Sequence, residues 1–475
     1  MRLNRFLLLL MLLTSARAGM AQQPVSPPAL PPQQQLPQQL AAYMQGQHAV
    51  NRFAGVVLVT RHDSVLLRQA YGLADAEWAV PNTPDTRFAL ASITKQFTAV
   101  AILQLAERGQ LRLADRLGRF VPGVPNGDSI SLHQLLTHTA GMALDFEELY
   151  LDRTAVPKDS ALAFIRRLPV LFAPGKGLAY SNVGYYLLGL VIEKASGLSF
   201  GAYLQRHIFD VAGMTDTGLH SNTVLVPRLA RGYLRQGAGL LKNPYINWDL
   251  NVGHDGLYAT ADDLARFDRA LRGPALLSAA SQALMTTQHN KRFPGIGFLD
   301  RYGYGVFVNP YYNHGHDLLT HSGGYFGAMT TLDRYPTDGV LITVLSNNEA
   351  ESHWISYGLA AIVFGKAVEV PYVHRPVAVA PALLPPCAGQ YAETRILYAN
   401  GQLYLQDLQT PLVAESPLRF FNPANPDRTV SFRRTKAGRV VGLVLTKGGV
   451  PGALQPKTAL PAAAHQKAAG VAASR

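Results

Sequence analysis

Two hydrophobic rhythms divide the chain. In "FAGVVLVTR" (53–61) apolar residues run almost unbroken, and in "SVLLRQAYGLA" (64–74) apolar and polar residues interleave; the pair reads as two strands joined around Arg61-His62-Asp63. From Ser92 the spacing turns helical, through Phe97, Val100, Ala101, Leu103 and Leu105, with Gly109 as a stop. Residues 131–137, 160–168, 183–196 and 200–209 repeat that helical spacing, and Thr260 followed by Asp263 resembles a capping box ahead of "LARFDRALRG". Strand patterns return in "GAMTTLDRYP" and "GVLITVLSNN", and "WISYGLAAIVFG" reads as a helix. Strands thus flank a helical middle, which predicts an α/β layer closed by the two ends of one domain.

Proline marks the boundaries. Residues 22–39 are Pro/Gln-rich and predict an extended linker, and Pro371, Pro376, Pro381, Pro385 and Pro386 mark a second one over 369–386. Between them lies a large domain, 40–368. Residues 387–455 alternate like short strands with turns at Asn400-Gly401, Ala437-Gly438 and Gly448-Gly449, predicting a small β-rich accessory domain. Residues 456–475 are Ala-rich and are expected to be disordered.

Composition narrows the class. A chain that is 48% hydrophobic and 16% charged builds a globular core. Arg2 and Arg5, the short apolar run Phe6 to Leu13, and the small-x-small sites Ala16-Arg17-Ala18 and Gly19-Met20-Ala21 read as a signal peptide over 1–21. That run is too short for a bilayer, which takes about 20 residues. The expected mature chain is therefore exported, periplasmic or secreted, with no transmembrane span. The lone cysteine, Cys387, excludes an internal disulfide. The net charge of +12 is unevenly placed: three arginines lie in the signal, and nine Lys or Arg with no acid follow from Arg428 onward, leaving the body between them neutral. With no recognisable basic module, nucleic acid is not an expected partner; the basic end reads as a solvated tail or a contact for anionic envelope polymers.

Three short motifs carry candidate chemistry. Ser92 and Lys95 are three residues apart, so a helix places hydroxyl and amine on one face. That is either a serine cap beside a surface lysine, or a nucleophile beside its activator. The flanks are apolar, so Lys95 is expected near packed surface, where desolvation lowers a lysine pKa from about 10.4 and lets a neutral amine take the serine proton. The second motif is Tyr180-Ser181-Asn182, whose tyrosine alone reads equally as a core aromatic. The third is His321-Ser322-Gly323-Gly324, which alone reads as a turn with a buried histidine. His138 in "LTHTAG" is expected to fix a loop. His314 and His316 lack the third partner a metal site needs, and Tyr302-Gly303-Tyr304-Gly305 reads as an aromatic strand edge.

Taken together, Ser-x-x-Lys, Tyr-x-Asn and His-x-Gly stand in that order, separated by 88 and 141 residues. This resembles the penicillin-recognising serine hydrolases: class C β-lactamases, D,D-peptidases and related esterases and D-aminopeptidases. "LLTHTAGM" (135–142), "FAPGKGLAYSNVGYYLLG" (172–189) and "DGLYATADDLARF" (255–267) extend the likeness over about residues 40–368. The resemblance implies an α/β fold, a β-lactamase-like antiparallel sheet flanked by helices with an inserted helical region, followed by the small β-rich domain. It implies that Ser92 is the acylated nucleophile, that Lys95 and Tyr180 share the acid–base work, and that Asn182 orients Lys95 and a substrate amide. It further implies that the Ser92 and Gly324 backbone N–H groups, with Ser322 and Gly323 beside them, form the oxyanion hole, and that no metal or cofactor is needed. His321 stands where β-lactamases of this group carry Lys. As a neutral donor facing the cleft it would clamp a carboxylate weakly, which ranks D-residue peptides, small esters and amides above β-lactams. No Glu-bearing deacylation motif of the class A type is present. The competing expectations are a β-lactamase and a penicillin-binding sensor that acylates and turns over slowly. Cell-wall peptides are candidate partners, and the C-terminal domain is a candidate wall- or partner-binding module.

Overall fold

Val56 and Leu58 point to one face of strand β1 (Gly55–Arg61), Val57 and Val59 to the other, and all four are completely buried. A strand that is apolar on both faces needs cover on both. In the computed structural model this strand sits inside a six-stranded antiparallel sheet with β2 (Ser64–Tyr71), β3 (Phe307–Val308), β4 (Leu319–Tyr325), β5 (Ala328–Tyr335) and β6 (Val340–Ser346), in the order β3-β4-β5-β6-β1-β2. The pairing of β1 with β6, Val57 opposite Val344, joins the two ends of the domain. His62 and Asp63 take left-handed φ values of 48° and 62° in the tight β1–β2 turn. The structure describes residues 36–458 apart from 147–148, 150–155, 238, 295–298, 311 and 407–409; the expected signal segment, residues 22–35 and residues 459–475 lie outside these.

Helices α1 (Leu36–Asn51) and α6 (Ser352–Val363) cover the face that carries Val57 and Val59. Helices α2 (Thr94–Glu107), α3 (Leu132–Leu136), α4 (Asn182–Ser196) and α5 (Ala261–Arg272) contribute to the opposite core with Val56 and Leu58. Every residue of α2 from Thr94 to Leu105 is buried, so this helix runs through the middle of the domain rather than over it. The helical region, inserted between β2 and β3, is therefore built around the segment that carries Ser92 and Lys95. Among the described residues no single helix is long and apolar enough to cross a membrane.

Two of the expected boundaries move. The linker placed over 22–39 ends early, because α1 begins at Leu36. Pro37 falls in the first turn, where a helix has no use for its missing N–H, and Leu40, Tyr43, Met44 and Gln47 form one buried stripe. The tail expected from 456 is ordered at its start. Strand β15 (Gln455–Thr458) closes a C-terminal sheet with β7 (Gly389–Tyr391), β8 (Thr394–Ala399), β9 (Gln402–Leu405), β10 (Pro411–Ser416), β11 (Arg419–Asn422), β12 (Asn425–Arg434), β13 (Val440–Lys447) and β14 (Val450–Pro451). The order is β12-β11-β10-β9-β8-β7-β15-β13-β14, and an added β12–β13 pairing makes a ring around Tyr391, Ile396, Leu403, Phe420, Phe432 and Leu443.

The Pro-rich segment 369–386 is laid along this ring rather than spanning free space. Tyr372 Oη donates to Glu415 at 2.8 Å, the His374 ring pairs with the same carboxylate at 2.6 Å, and Val377 N–H donates to Ala414 O. The ring also reaches the larger domain. Tyr43 Oη donates to Gly448 O, Gln47 Nε2 donates to Asp427, and Val450 is buried with Leu40, Tyr43, Leu359 and Val368. Truncation after residue 368 therefore uncovers one end of α1. A fully buried aliphatic side chain contributes about 1.5–3 kcal/mol, so the truncated chain is expected to melt below the full chain in a thermal scan. Equal melting temperatures would show that this junction contributes no stability.

Candidate active site

The site starts from a backbone feature. Ala91 has φ +46°, a left-handed conformation costly for a residue with a Cβ, and it opens a 3-10 turn, Ala91–Ile93, that runs straight into α2. Ser92 is thus on the turn before the helix and Lys95 is inside its first turn, so the sequence spacing becomes a contact: Lys95 Nζ lies 2.9 Å from Ser92 Oγ. Strand β4 holds the turn from the other side. A Cβ on Gly323 would meet Leu90 O at 2.2 Å and Thr330 Oγ1 at 2.5 Å, so only glycine lets the strand approach, and Thr330 Oγ1 donates to Leu90 O.

Lys95 is fully buried. Its ammonium also donates to His254 O at 3.0 Å, lies 3.9 Å from Asp255 Oδ1 and sits 5.0 Å from the centre of the Tyr180 ring. Burial pushes its pKa down, with Asp255 and Asp145 pulling the other way. Asp255 shows the mirror effect: burial pushes its carboxyl up, and Lys95 pulls it back. Ser92 Oγ donates to Asp255 Oδ1 at 3.2 Å.

Tyr180 comes from the segment before α4. Ser181 caps α4 by accepting from Gly184 N–H, and the Ser181 N–H donates to His138 Nδ1 at 3.1 Å. His138 packs against Tyr180 with ring centres 4.3 Å apart and the rings tilted by 32°, so it fixes the loop that presents the phenol. The phenol hydrogen-bonds with Ser92, but burial holds its pKa well above the usual tyrosine value. At neutral pH it is a proton donor.

The other motif residues are placed differently from expectation. Asn182 does not reach Lys95: its Nδ2 donates to Asp145 at 2.8 Å, and its Oδ1 is buried with no hydrogen-bond partner among the described residues. His321 does not face the cleft as a free donor. It is 2% exposed, Nδ1 bonds Ser322 O at 2.7 Å, and Nε2 meets Tyr302 Oη at 3.1 Å. A proton on Nδ1 makes Nε2 the acceptor of the Tyr302 hydroxyl, so both nitrogens are engaged within the protein. Burial, then the charge of Lys95, drops the ring pKa to about 3. The alternation of β4 turns Ser322 and Gly324 outward and His321 and Gly323 inward. Strand β3 pairs with β4 only at Leu319 and Thr320, so beyond Thr320 no described strand covers that edge.

Asp255 and Asp145 went unread as site residues in the sequence. Asp255 is carried by a loop stitched to α2: Thr98 Oγ1 donates to Gly253 O, Lys95 Nζ to His254 O, and Leu257 N–H to Thr94 Oγ1. Gly256 makes the turn with φ +91°, and a Cβ there would lie 2.1 Å from Asn251 O. The remaining candidates are structural. His314 Nε2 bonds Tyr357 O and His316 Nδ1 pairs with Asp338. Tyr304 Oη bonds His133.

A serine hydroxyl and a buried amine on one turn, met by a phenol from the segment before α4, define a serine hydrolase. The chain belongs to the beta-lactamase family, whose model matches residues 36–356. It is 30% identical over 406 residues to a penicillin-binding protein of Bacillus subtilis (strain 168), covering 78% of this chain and 88% of that one. It is 31% identical to Esterase EstB of Burkholderia gladioli, covering 51% and 73% of the two chains. The crystal structure of a penicillin binding protein from Bacillus halodurans superimposes with a TM-score of 0.59 at 28% identity, covering 69% of this chain and 98% of that one.

Proposed function

We propose that this chain is an exported hydrolase that works through an acyl-enzyme on Ser92 and acts on small esters, amides or peptides containing D-residues. The observation that carries the reading is the 2.9 Å contact between Ser92 Oγ and a completely buried lysine. Burial lowers the Lys95 pKa to about 8, so part of the amine is neutral at pH 7, and that neutral form reverses the hydrogen bond and accepts the hydroxyl proton as Oγ attacks the substrate carbonyl. Tyr180, kept as a phenol by burial, is the donor that protonates the leaving amine or alcohol. The Ser92 N–H and the Gly324 N–H, on the edge of β4 where no described strand pairs, are the proposed oxyanion donors; one such donor is worth about 3 kcal/mol in the transition state.

The charge around Ser92 supports the choice of substrate. Asp255 and Asp145 act on Lys95, and His321 is neutral and engaged. An acidic pocket with a neutral histidine favours neutral esters, amides and peptide ends over the carboxylate of a penicillin. The signal-like segment 1–21 supports export, where cell-wall peptides are candidate substrates.

Intact-mass spectrometry with a fluorophosphonate, a p-nitrophenyl ester and a penicillin tests the proposal. The expected result is a fluorophosphonate adduct on Ser92, none in Ser92→Ala, and ester turnover that outpaces penicillin acylation. An adduct mapped to another serine overturns it. The mass of the untreated protein from its own cells reports export: a chain starting at Gly19 or Gln22 supports it, and an intact Met1 overturns it.

A further inference from the structure

Ser92 Oγ has a third neighbour besides Lys95 and Tyr180. Asp255 Oδ1 accepts the hydroxyl hydrogen at 3.2 Å, its carboxylate is 95% buried, and it is aimed by three hydrogen bonds between its loop and α2. During acylation the hydroxyl loses that hydrogen. Once Oγ has become an ester oxygen it has nothing left to donate, so Asp255 loses that donor and keeps Lys95 beside it while still facing the reacting bond. The acyl carbon is one covalent bond from Oγ. A general base needs its water within about 2.6–3.2 Å, and the 3.2 Å contact between Oγ and Oδ1 keeps the carboxylate beside the reacting bond.

We propose that Asp255 is the general base of deacylation, resting on the reading of Ser92 as the acylated residue. The water oxygen forms a bond to the acyl carbon as Oδ1 takes its proton, giving a tetrahedral adduct. The adduct collapses by breaking the bond between that carbon and Oγ, and Asp255 returns the proton to Oγ across the same 3.2 Å contact. Water has then been added across the ester. Ser92 is a hydroxyl again, Asp255 a carboxylate, and the product a carboxylic acid. The upward push of burial on Asp255 suits the task, because a base nearer neutrality drives proton transfer better. On this reading the acyl-enzyme turns over, and the chain acts as a hydrolase rather than as a slow-releasing sensor.

The test is stopped-flow hydrolysis of p-nitrophenyl acetate by the wild type and by Asp255→Asn, which keeps shape and removes the base. The expected variant shows a nitrophenol burst equal to the enzyme concentration, then a steady rate lower than wild type by about 10²- to 10⁴-fold. Its mass spectrum shows acetyl on Ser92, and hydroxylamine, which needs no base to attack an ester, restores turnover. The burst itself counts folded sites, and Asp255→Ala, run in parallel, is expected to behave alike. Slowed acylation without a burst overturns the proposal and moves Asp255 to the first step. An unchanged deacylation rate also overturns it. Failure of the underlying reading is separately visible, as wild-type adducts on a residue other than Ser92.

Discussion

Lys95→Met lowers kcat/KM for a p-nitrophenyl ester by about 10⁴-fold, the upper end for removing a positioned base. Two losses combine. The amine 2.9 Å from Ser92 Oγ disappears, and the Asp255 carboxylate, 3.9 Å away, loses its counter-charge. Met fills the buried volume, so the fold survives while chemistry fails. The variant also carries a pH signature. With no cation beside it, the buried Asp255 has a folded-state pKa raised further above its unfolded value near 3.9. The folded state then binds more protons than the unfolded state, and stability falls as pH rises from about 4 through the raised folded pKa. Thermal melts at pH 5 and pH 8 should show the variant closer to wild type at pH 5. A variant that keeps more than a tenth of wild-type kcat/KM would remove Lys95 from the proton path.

Much of this site is legible locally. The three-residue spacing of Ser92 and Lys95 converts directly into contact because helical geometry sets it, and the apolar flanks foretell the burial of Lys95. Thr260 caps α5 by accepting from Asp263 N–H, and Asn400-Gly401 forms the tight turn between β8 and β9, as their residue types require. What the sequence hides is set by long-range packing. Asp255 lies 163 positions from Ser92 and has no spacing rule to betray it; its loop is placed by threonines of α2. The same holds for His321. Its motif position suggests a group facing substrate, but strand alternation turns it inward against Tyr302 and Phe307. The Pro-rich segments differ from expectation at 36–39 and in the packing of 369–386 for a related reason: proline content reports what a segment cannot form, and says nothing about the core that takes up the start of α1 or the C-terminal ring that 369–386 lies along.

His321→Lys, which restores the residue found in the β-lactamase variants of the motif, is expected to destabilise this protein rather than to create a carboxylate clamp. The native ring is buried and hydrogen-bonded at both nitrogens, and its pKa is pushed down to about 3 by burial and by the charge of Lys95. A lysine there meets the same penalties from an ordinary value near 10.4. Held neutral at pH 7, it costs about 4–5 kcal/mol at 1.36 kcal/mol per pKa unit. It also removes the ring nitrogen that meets the Tyr302 hydroxyl at 3.1 Å. The sign of the pH dependence follows. A folded-state lysine with a depressed pKa binds fewer protons than the unfolded chain, so the deficit shrinks as pH rises toward about 10. Thermal melts should place the variant well below wild type at pH 7 and closer at pH 9, with no selective gain in penicillin acylation over a neutral ester. His321→Gln, whose amide can donate to Ser322 O and accept from Tyr302, should retain most of the stability. A Lys variant that melts like wild type and acylates with penicillin much faster than with the ester would place residue 321 at the substrate carboxylate after all, and the preference for neutral substrates would lose its physical basis.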